Sequence, residues 1–321
     1  MAEKSVVMVT GVNDYWGAKV ASRLRQFEQL QVIGVDEVEP TQYDESLRFF
    51  QNDLSSQSIG DLLVEEQVDI VCHLKYIEQD SRPASTASTN IEYAKNLLSA
   101  CANNGVNNVI IRSSTTVYGA RRDNPAFLTE EAPVREGRFS WFAQDHIEIE
   151  RECQSFREHF PQKNITVLRF ANIIGRSADS PLTRLLRQRR PAILMGFDPI
   201  FQLIHQEDVV EALAQATTNK WTGTTNVAAE GSMPLSRLLR LVGKAPLPVF
   251  HPLVYARKGP FRSSKYRGSK RQPIGWDYLR YSWVADTTKM RDELSFYPSY
   301  TAEEAAREFS GKESSNSENG E

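Results

Sequence analysis

Cysteine and histidine are scarce in this chain of 321 residues, and neither type is clustered. The three cysteines, Cys72, Cys101 and Cys153, are odd in number and widely spaced, which favours reduced thiols in a cytoplasmic protein over a disulfide framework. The five histidines lack the spacing of metal ligands. We therefore expect no disulfide and no metal site.

Long apolar runs are also missing. No stretch approaches the roughly 20 residues of a membrane-spanning helix, and the N-terminus does not resemble a signal peptide. With 38 Lys and Arg against 41 Asp and Glu, the net charge of −3 gives no overall attraction to nucleic acid or anionic membrane. The composition favours a soluble protein with a core large enough for one large or two smaller domains.

The N-terminal residues follow the order strand, glycine turn, helix, strand and acidic residue. Residues 6–9 are rich in β-branched side chains, residues 10–17 contain the glycines, residues 18–24 have helical spacing, and a strand at 31–35 ends in Asp36. In a βαβ unit of this order, backbone N–H groups of the turn meet a pyrophosphate and the carboxylate accepts hydrogen bonds from the adenosine ribose. Because Asp36 would also repel a 2′-phosphate, we expect NAD to be preferred over NADP.

One residue of the turn departs from this pattern. Gly11 and Gly17 stand at the outer positions of G-x-x-G-x-x-G, but Asp14 occupies the middle one. Its Cβ hinders close approach of a phosphate, and its carboxylate costs energy beside another anion unless a cation lies between them. Loose NAD binding is therefore expected. The alternative is a crevice that no longer binds a dinucleotide well.

Strands and helices continue to alternate along the chain. Expected strands lie at 47–53, 68–74, 109–111 and 165–170, and expected helices at 90–102 and 140–156, with a polar loop over 79–89. This alternation predicts a doubly wound α/β fold, a parallel sheet covered by helices on both faces.

A series of short motifs runs through residues 5–308 in a fixed order. They are Thr10-Gly11…Gly17, Asp36, Asp53-Leu54, His73-Leu74, Asn90, and the segments 113–119, 168–175, 205–209, 223–227 and 286–290. In this order they resemble the extended short-chain dehydrogenase/reductase superfamily, in particular the NAD-dependent epimerase/dehydratase family typified by UDP-glucose 4-epimerase. The resemblance is greatest to a bacterial subgroup that lacks the usual active-site residues. It implies a Rossmann-type sheet with a smaller C-terminal substrate lobe.

The resemblance also implies roles for individual residues. Those expected along the cofactor are Gly11, Asp14 and Gly17 at the pyrophosphate, Asp36 at the ribose, Asp53 and Leu54 near the adenine, and His73 and Leu74 beside the dinucleotide. Those expected at the substrate are Ser114, facing a sugar oxygen, and Asn172, Arg169 and Arg262, binding the nucleotide sugar. For Ser114 the alternative is a hydroxyl that closes a turn after its strand.

The expected catalytic pair is missing. The family's Tyr-x-x-x-Lys falls on Phe142 and His146, in a register fixed by the continuation of the helix at 148–151. In the family, the tyrosine transfers the hydroxyl proton and the lysine lowers the pKa of that phenol. Phe142 has no ionisable proton, whereas His146 could act as a base near neutral pH. The alternative for His146 is a polar side chain that lines a remnant cleft.

The predicted organisation is a cofactor domain over 1–175 and a substrate lobe over 176–308, interleaved with sheet elements near 200–228, followed by a disordered tail over 309–321. Basic residues are concentrated at 184–190 and at 257–271. For these segments a clamp on a nucleotide diphosphate, peripheral contact with acidic lipid and a solvated loop all stay open.

Two hypotheses follow for function. One is a protein that binds a nucleotide or nucleotide sugar without catalysis, which Phe142 and Asp14 favour. The other is an active NAD-dependent nucleotide-sugar epimerase/dehydratase or oxidoreductase that uses His146 as base. Neither implies a nucleic-acid partner, and a homodimer stays open.

Overall fold

The computed structural model describes residues 4–39, 46–77, 84–135, 141–255 and 273–311. The chain divides into two compact units. Unit 1 comprises Met1–Val117, Trp141–Arg169 and Val210–Thr225, and unit 2 comprises Tyr118–Ser140, Phe170–Val209 and Asn226–Glu321. The domain boundary expected near residue 175 stays a prediction.

A seven-stranded sheet forms the centre of an α/β fold. Its strands are β1 (Ser5–Thr10), β2 (Leu30–Asp36), β3 (Arg48–Gln51), β4 (Ile70–His73), β5 (Asn108–Ser114), β6 (Asn164–Phe170) and β10 (Gly223–Val227), in the order β10-β6-β5-β4-β1-β2-β3. The pairings of β1 with β2 and β4, of β2 with β3 and of β4 with β5 are parallel. The predicted doubly wound α/β class is confirmed.

The helices of this fold alternate with the strands. They are α1 (Tyr15–Leu24), α2 (Ser58–Glu65), α3 (Ala84–Asn103), α4 (Trp141–His159) and α6 (Gln206–Thr218). One apolar core joins α2, α3 and α4 to the sheet through fully buried residues such as Met8, Ile33 and Leu97. Burial of each such side chain contributes about 1.5–3 kcal/mol. Residues 7–9 are buried because helices cover both faces of a parallel sheet.

Two expected helices differ from the structure in where they begin and end. The polar loop expected over 79–89 gives way to helix at Ala84, so α3 is longer than the 90–102 segment that its apolar period indicated. No proline or glycine interrupts residues 84–89, so nothing in them stops the helix from extending toward its N-terminus. The helix expected over 140–156 runs over Trp141–His159.

Unit 2 contains smaller sheets and short helices. Its remaining strands are β7 (Asn172–Ile174), β8 (Ala192–Leu194), β9 (Ile200–His205), β11 (Ser232–Pro234) and β12 (Leu247–Val249), paired as β11-β9-β7 and β12-β8. Its remaining helices are α5 (Pro181–Arg187), α7 (Leu235–Leu241), α8 (His251–Tyr255), α9 (Thr288–Asp292) and α10 (Ala302–Phe309). None of the described helices could cross a membrane.

Candidate nucleotide-binding site

The turn after β1 is built around two glycines. Gly11 has a φ of +75°, and a Cβ there would lie 2.7 Å from the backbone N and Cα of Lys75. A Cβ on Gly17 would lie 2.1 Å from the carbonyl oxygen of Gly11. Both positions therefore need glycine for the chain's own packing, which brings the start of α1 close to the carboxyl ends of β1 and β4.

Asp36 ends β2 beside this turn, as predicted. Its side chain is only 1% exposed. Oδ2 accepts the backbone N–H of Asn13 at 3.0 Å, and Oδ1 accepts that of Glu37 at 2.9 Å. The carboxylate is thus fixed by the backbone of the turn and of its own strand end.

Lys75 is a residue of this site that the sequence analysis missed. Its ammonium donates to Oδ1 of Asp36 at 2.8 Å and lies 3.5 Å from Oδ2 of Asp14. Burial lowers the pKa of Lys75, but the hydrogen bond to Asp36 and the nearby acidic charges outweigh it and raise that pKa above its ordinary value. The ammonium therefore stays charged at neutral pH.

Asp14 precedes the first residue of α1 and makes no side-chain cap hydrogen bond to that helix. Its side chain is 44% exposed. Burial raises the pKa of Asp14 above its ordinary value, and the charge of Lys75 opposes that rise. The structure thus supplies the cation that a carboxylate in a phosphate turn requires.

His73 is the last residue of β4, a central strand of the sheet, and is 5% exposed. Thr10 Oγ1 accepts the backbone N–H of Leu74 at 3.1 Å and lies 2.8 Å from Nδ1 of His73. The threonine hydroxyl and Nδ1 of His73 therefore share a buried hydrogen bond. Burial lowers the pKa of His73 to about 4, with a further contribution from the charge of Arg112.

Three other residues expected along the cofactor have contacts within the protein. Asp53 accepts hydrogen bonds from the backbone N–H of Ser55 at 2.8 Å and from its hydroxyl at 2.6 Å. Leu54 is fully buried in the apolar core, and Leu74 is 2% exposed. Their contacts with adenine or dinucleotide stay predictions.

The positions expected to hold the catalytic pair lie on the first two turns of α4. The side chain of Phe142 lies outside the described part of the chain. His146 is 6% exposed, and the ring of Tyr76 is stacked on it with centroids 4.5 Å apart and planes 5° apart. The guanidinium of Arg112 lies 5.7 Å from the centroid of the Tyr76 ring and 5.6 Å from that of Trp16. An aromatic and cationic stack thus covers the face of the imidazole.

Asn90 holds the segment that carries Lys75 and Tyr76. Its Oδ1 accepts the backbone N–H of Ile77 at 2.8 Å, and its Nδ2 donates to the carboxylate of Asp145 at 2.8 Å. Asp145 is fully buried on α4. The residues after β4 are therefore fixed to both α3 and α4.

Ser114 follows the buried part of β5. Its Oγ accepts the backbone N–H of Thr116 at 3.3 Å and the hydroxyl of that residue at 2.9 Å. These bonds are those of a hydroxyl that closes a turn, and the contact with a sugar oxygen stays a prediction.

Arg169 and Glu150 form a buried ion pair. Nη2 of Arg169 donates to the Glu150 carboxylate at 2.6 Å, and Nε lies 3.0 and 3.1 Å from its two oxygens. The Ser113 hydroxyl donates to the same carboxylate at 2.5 Å. With Ser113, the pair connects α4 to β5 and β6, and its contacts are those of a structural ion pair. A substrate contact of Arg169 stays a prediction.

Of the remaining expected substrate residues, Asn172 belongs to unit 2. Asn172 donates from Nδ2 to the carbonyl oxygen of Gln202 at 2.9 Å, across the β7–β9 pair. Arg262, with the rest of the basic segment 257–271, lies outside the described residues. In the other basic segment, 184–190, Arg184 forms an ion pair with Asp179 at 2.7 Å. The charge of this arginine is therefore balanced by a nearby carboxylate.

Comparison with known proteins identifies the family. The model of the NAD dependent epimerase/dehydratase family matches residues 7–228. The chain belongs to this family. An uncharacterised protein of Mycobacterium tuberculosis is 31% identical over 311 residues, which cover 94% of this chain and 82% of that relative. The resemblance found in the sequence is therefore confirmed at the level of the family.

Solved structures of family members share the fold. A UDP-glucose 4-epimerase of Thermotoga maritima, solved with UDP-glucose, has a TM-score of 0.70 at 20% identity, covering 96% of this chain and 98% of that one. The UDP-glucose 4-epimerase of Thermus thermophilus, solved with NAD, has a TM-score of 0.70 at 19% identity over the same shares of the two chains.

The residues present fit the family's dinucleotide in part. The glycine turn and the start of α1 present the backbone geometry that suits a diphosphate. Asp36 ends β2, where the family pattern predicts a ribose, but the ammonium of Lys75 already occupies one of its oxygens. No group of three or more His, Cys, Asp or Glu that could hold a metal ion occurs in the described ranges.

Proposed function

We propose that this chain binds a nucleotide in unit 1 and does not epimerise nucleotide sugars. The observation that carries the proposal is the state of α4: position 142 is phenylalanine, and His146, four residues on, is 6% exposed beneath the ring of Tyr76. A positioned acid–base group contributes about 10²–10⁴ in rate. Neither residue supplies the phenol on which the family's proton transfer depends.

Nucleotide binding is supported by the turn, by Asp36 and by membership of the family. The Thermus thermophilus relative was solved with NAD and the Thermotoga maritima relative with UDP-glucose. We infer that the ligands of this chain come from the same two chemical classes, a dinucleotide and a nucleotide diphosphate sugar. The assignment of Phe142 and His146 to the family's Tyr and Lys positions is part of this proposal.

Enzyme assays test the loss of catalysis. The purified protein with added NAD should give no UDP-galactose from UDP-glucose in a coupled assay, because no phenol receives the hydroxyl proton. The double variant Phe142→Tyr/His146→Lys restores the family pair at i and i+4 of one helix and should gain measurable turnover. Mass spectrometry of the protein as purified would identify any nucleotide that it carries.

The alternative is an active enzyme in which His146 is the base. His146→Ala separates the two hypotheses, and His159→Ala is its matched control, because His159 is an exposed histidine on the last turn of the same helix. Turnover by the unmodified protein that is lost in His146→Ala and kept in His159→Ala would overturn the non-catalytic proposal.

A further inference from the structure

We propose that Lys75 sets the cofactor discrimination of this cleft, by removing the preference for NAD that Asp36 alone would impose. The inference rests on the proposed function, since it assumes that a dinucleotide binds at the turn of unit 1. Nothing in the family resemblance assigns a role to Lys75. Its place in the fold, two residues after β4, brings its ammonium 2.8 Å from the carboxylate that would face the adenosine ribose.

The charge of Asp36 governs the electrostatic part of this discrimination. A bare carboxylate at the end of β2 repels a 2′-phosphate and accepts hydrogen bonds from the free ribose hydroxyls of NAD. With Lys75 paired to it, the repulsion is largely cancelled. Oδ1 of Asp36 already accepts from Lys75 and from the Glu37 N–H, and Oδ2 from the Asn13 N–H. The hydroxyls of NAD must therefore compete with an ammonium for this carboxylate.

The same ammonium is a partner for a 2′-phosphate. A phosphate needs no acceptor on Asp36 and forms a charge-assisted hydrogen bond with a lysine. The Lys75 ammonium should therefore weaken the binding of NAD and strengthen that of NADP. Asp14, whose Oδ2 lies 3.5 Å from the ammonium, gives it a second anionic partner when a ligand displaces it from Asp36.

The backbone at Lys75 is fixed, so the discrimination depends on the side chain alone. The Lys75 N–H lies 3.3 Å from Oγ1 of Thr10, and its Cα packs against Gly11 without room for a Cβ there. Asn90 holds the neighbouring Ile77. A substitution at Lys75 is therefore expected to change the charge of the cleft without moving its walls.

Calorimetric titration of the full chain with NAD and NADP at one low ionic strength tests the inference. The unmodified protein should bind the two dinucleotides with similar affinity. Lys75→Met should bind NAD more tightly and NADP more weakly, so that the ratio of the two Kd values moves toward NAD by at least about tenfold. Lys75→Arg keeps the charge and should keep the ratio of the unmodified protein.

Controls separate the possible failures. Lys95→Met removes an exposed lysine of α3 and should leave both affinities unchanged. If Lys75→Met does not fold, Lys75→Gln keeps a donor for Asp36 and should shift the ratio in the same direction. A ratio that is unchanged in both variants overturns the role of Lys75 and leaves nucleotide binding intact. No binding of either dinucleotide to the unmodified protein or to any variant overturns the inference together with the proposed function.

Discussion

Asp14 and Lys75 have to be considered together, because each changes the meaning of the other. The sequence places a carboxylate in a turn where the family pattern predicts a diphosphate, and its uncompensated charge would oppose that ligand. The structure places the Lys75 ammonium 3.5 Å from that carboxylate and 2.8 Å from Asp36. One ammonium group therefore lies beside two carboxylates, so the negative charge of Asp14 is neutralised only in part.

Replacing Asp14 should tighten the binding of every diphosphate nucleotide. In Asp14→Gly both the carboxylate and its Cβ are lost, and we expect NAD, NADP and ADP to bind about threefold to tenfold more tightly, as for the removal of a partly exposed charge. The helix should lose little, since glycine at this position costs only a few tenths of a kcal/mol relative to a good capping residue. Isothermal calorimetry measures the three Kd values.

Asp14→Asn separates charge from shape, because it removes the charge and keeps the Cβ. A gain in Asp14→Asn equal to that in Asp14→Gly would assign the effect to charge alone. The family pattern predicts that Asp14 lies beside the diphosphate common to all three ligands, so all three affinities should rise together. Affinities for ADP that do not change in either variant would mean that Asp14 does not face the diphosphate.

The part of the site predicted from sequence consists of residues linked by short stretches of chain. Gly11, Gly17 and Asp36 lie where the βαβ pattern placed them, because a turn, a helix and the next strand leave little freedom. Lys75 and Tyr76 were missed, because their partners depend on which strands are neighbours and on the rotamers of long side chains. The signal available in the sequence was the position of Lys75, directly after the strand expected at 68–74.

At the scale of elements, Lys163 joins the end of α3 to the start of β6. Its ammonium donates to the carbonyl oxygens of Cys101 at 2.6 Å, Asn104 at 2.8 Å and Val106 at 2.9 Å. The last carbonyls of a helix have no intrahelical donor, so a cation there satisfies groups that the helix leaves open.

Lys163→Met should therefore destabilise the protein while keeping the packing of the aliphatic stem. We expect a loss of about 1–3 kcal/mol in the free energy of unfolding, the range for carbonyls left without a donor. Urea denaturation followed by far-UV circular dichroism measures it as a lower midpoint at unchanged slope. Lys95→Met, on the exposed side of α3, is the matched control, and an equal loss in that variant would contradict the cap.

Element types were predicted better than element ends. The apolar period identified α3, but its start at Ala84 was missed, since Ser and Thr are typical both of loops and of the first turns of helices. Strand β3 covers Arg48–Gln51 and is shorter than the 47–53 expected, although Asn52 still donates its N–H to the Asp36 carbonyl of β2 at 3.0 Å. Residue types alone do not show whether a polar residue at the end of a strand still belongs to that strand.

At the scale of the whole molecule, the alternation of strands and helices predicted a parallel sheet, but not the position of β10 at its edge. That strand is separated from β6 by more than 50 residues, which include three strands and two helices. Periodicity describes a segment and carries no information on its distant neighbour. The order of the strands and the two-unit division therefore come from the structure.

The centre of the sheet contains a histidine whose protonation should limit stability in acid. His73 lies on β4, between β1 and β5, and burial lowers its pKa from 6.5 to about 4. As the pH falls below 6.5, the imidazole of His73 becomes protonated in the unfolded chain but stays neutral in the folded protein until the pH approaches 4. The stability contributed by the neutral imidazole is therefore fully present above pH 6.5 and is lost as the pH falls toward 4.

We expect this single group to remove up to about 3 kcal/mol from the free energy of unfolding between pH 7 and pH 4, at roughly 1.4 kcal/mol per pKa unit. His73→Asn keeps a hydrogen-bonding side chain beside the Thr10 hydroxyl but cannot take up a proton. Urea unfolding of both proteins at several pH values measures the difference. The acidic groups titrate alike in the two chains, so the variant should be the less stable at pH 7 and the gap should narrow or reverse by pH 4. Stability curves that run parallel over this range would mean that His73 is protonated as readily in the folded sheet as in the unfolded chain.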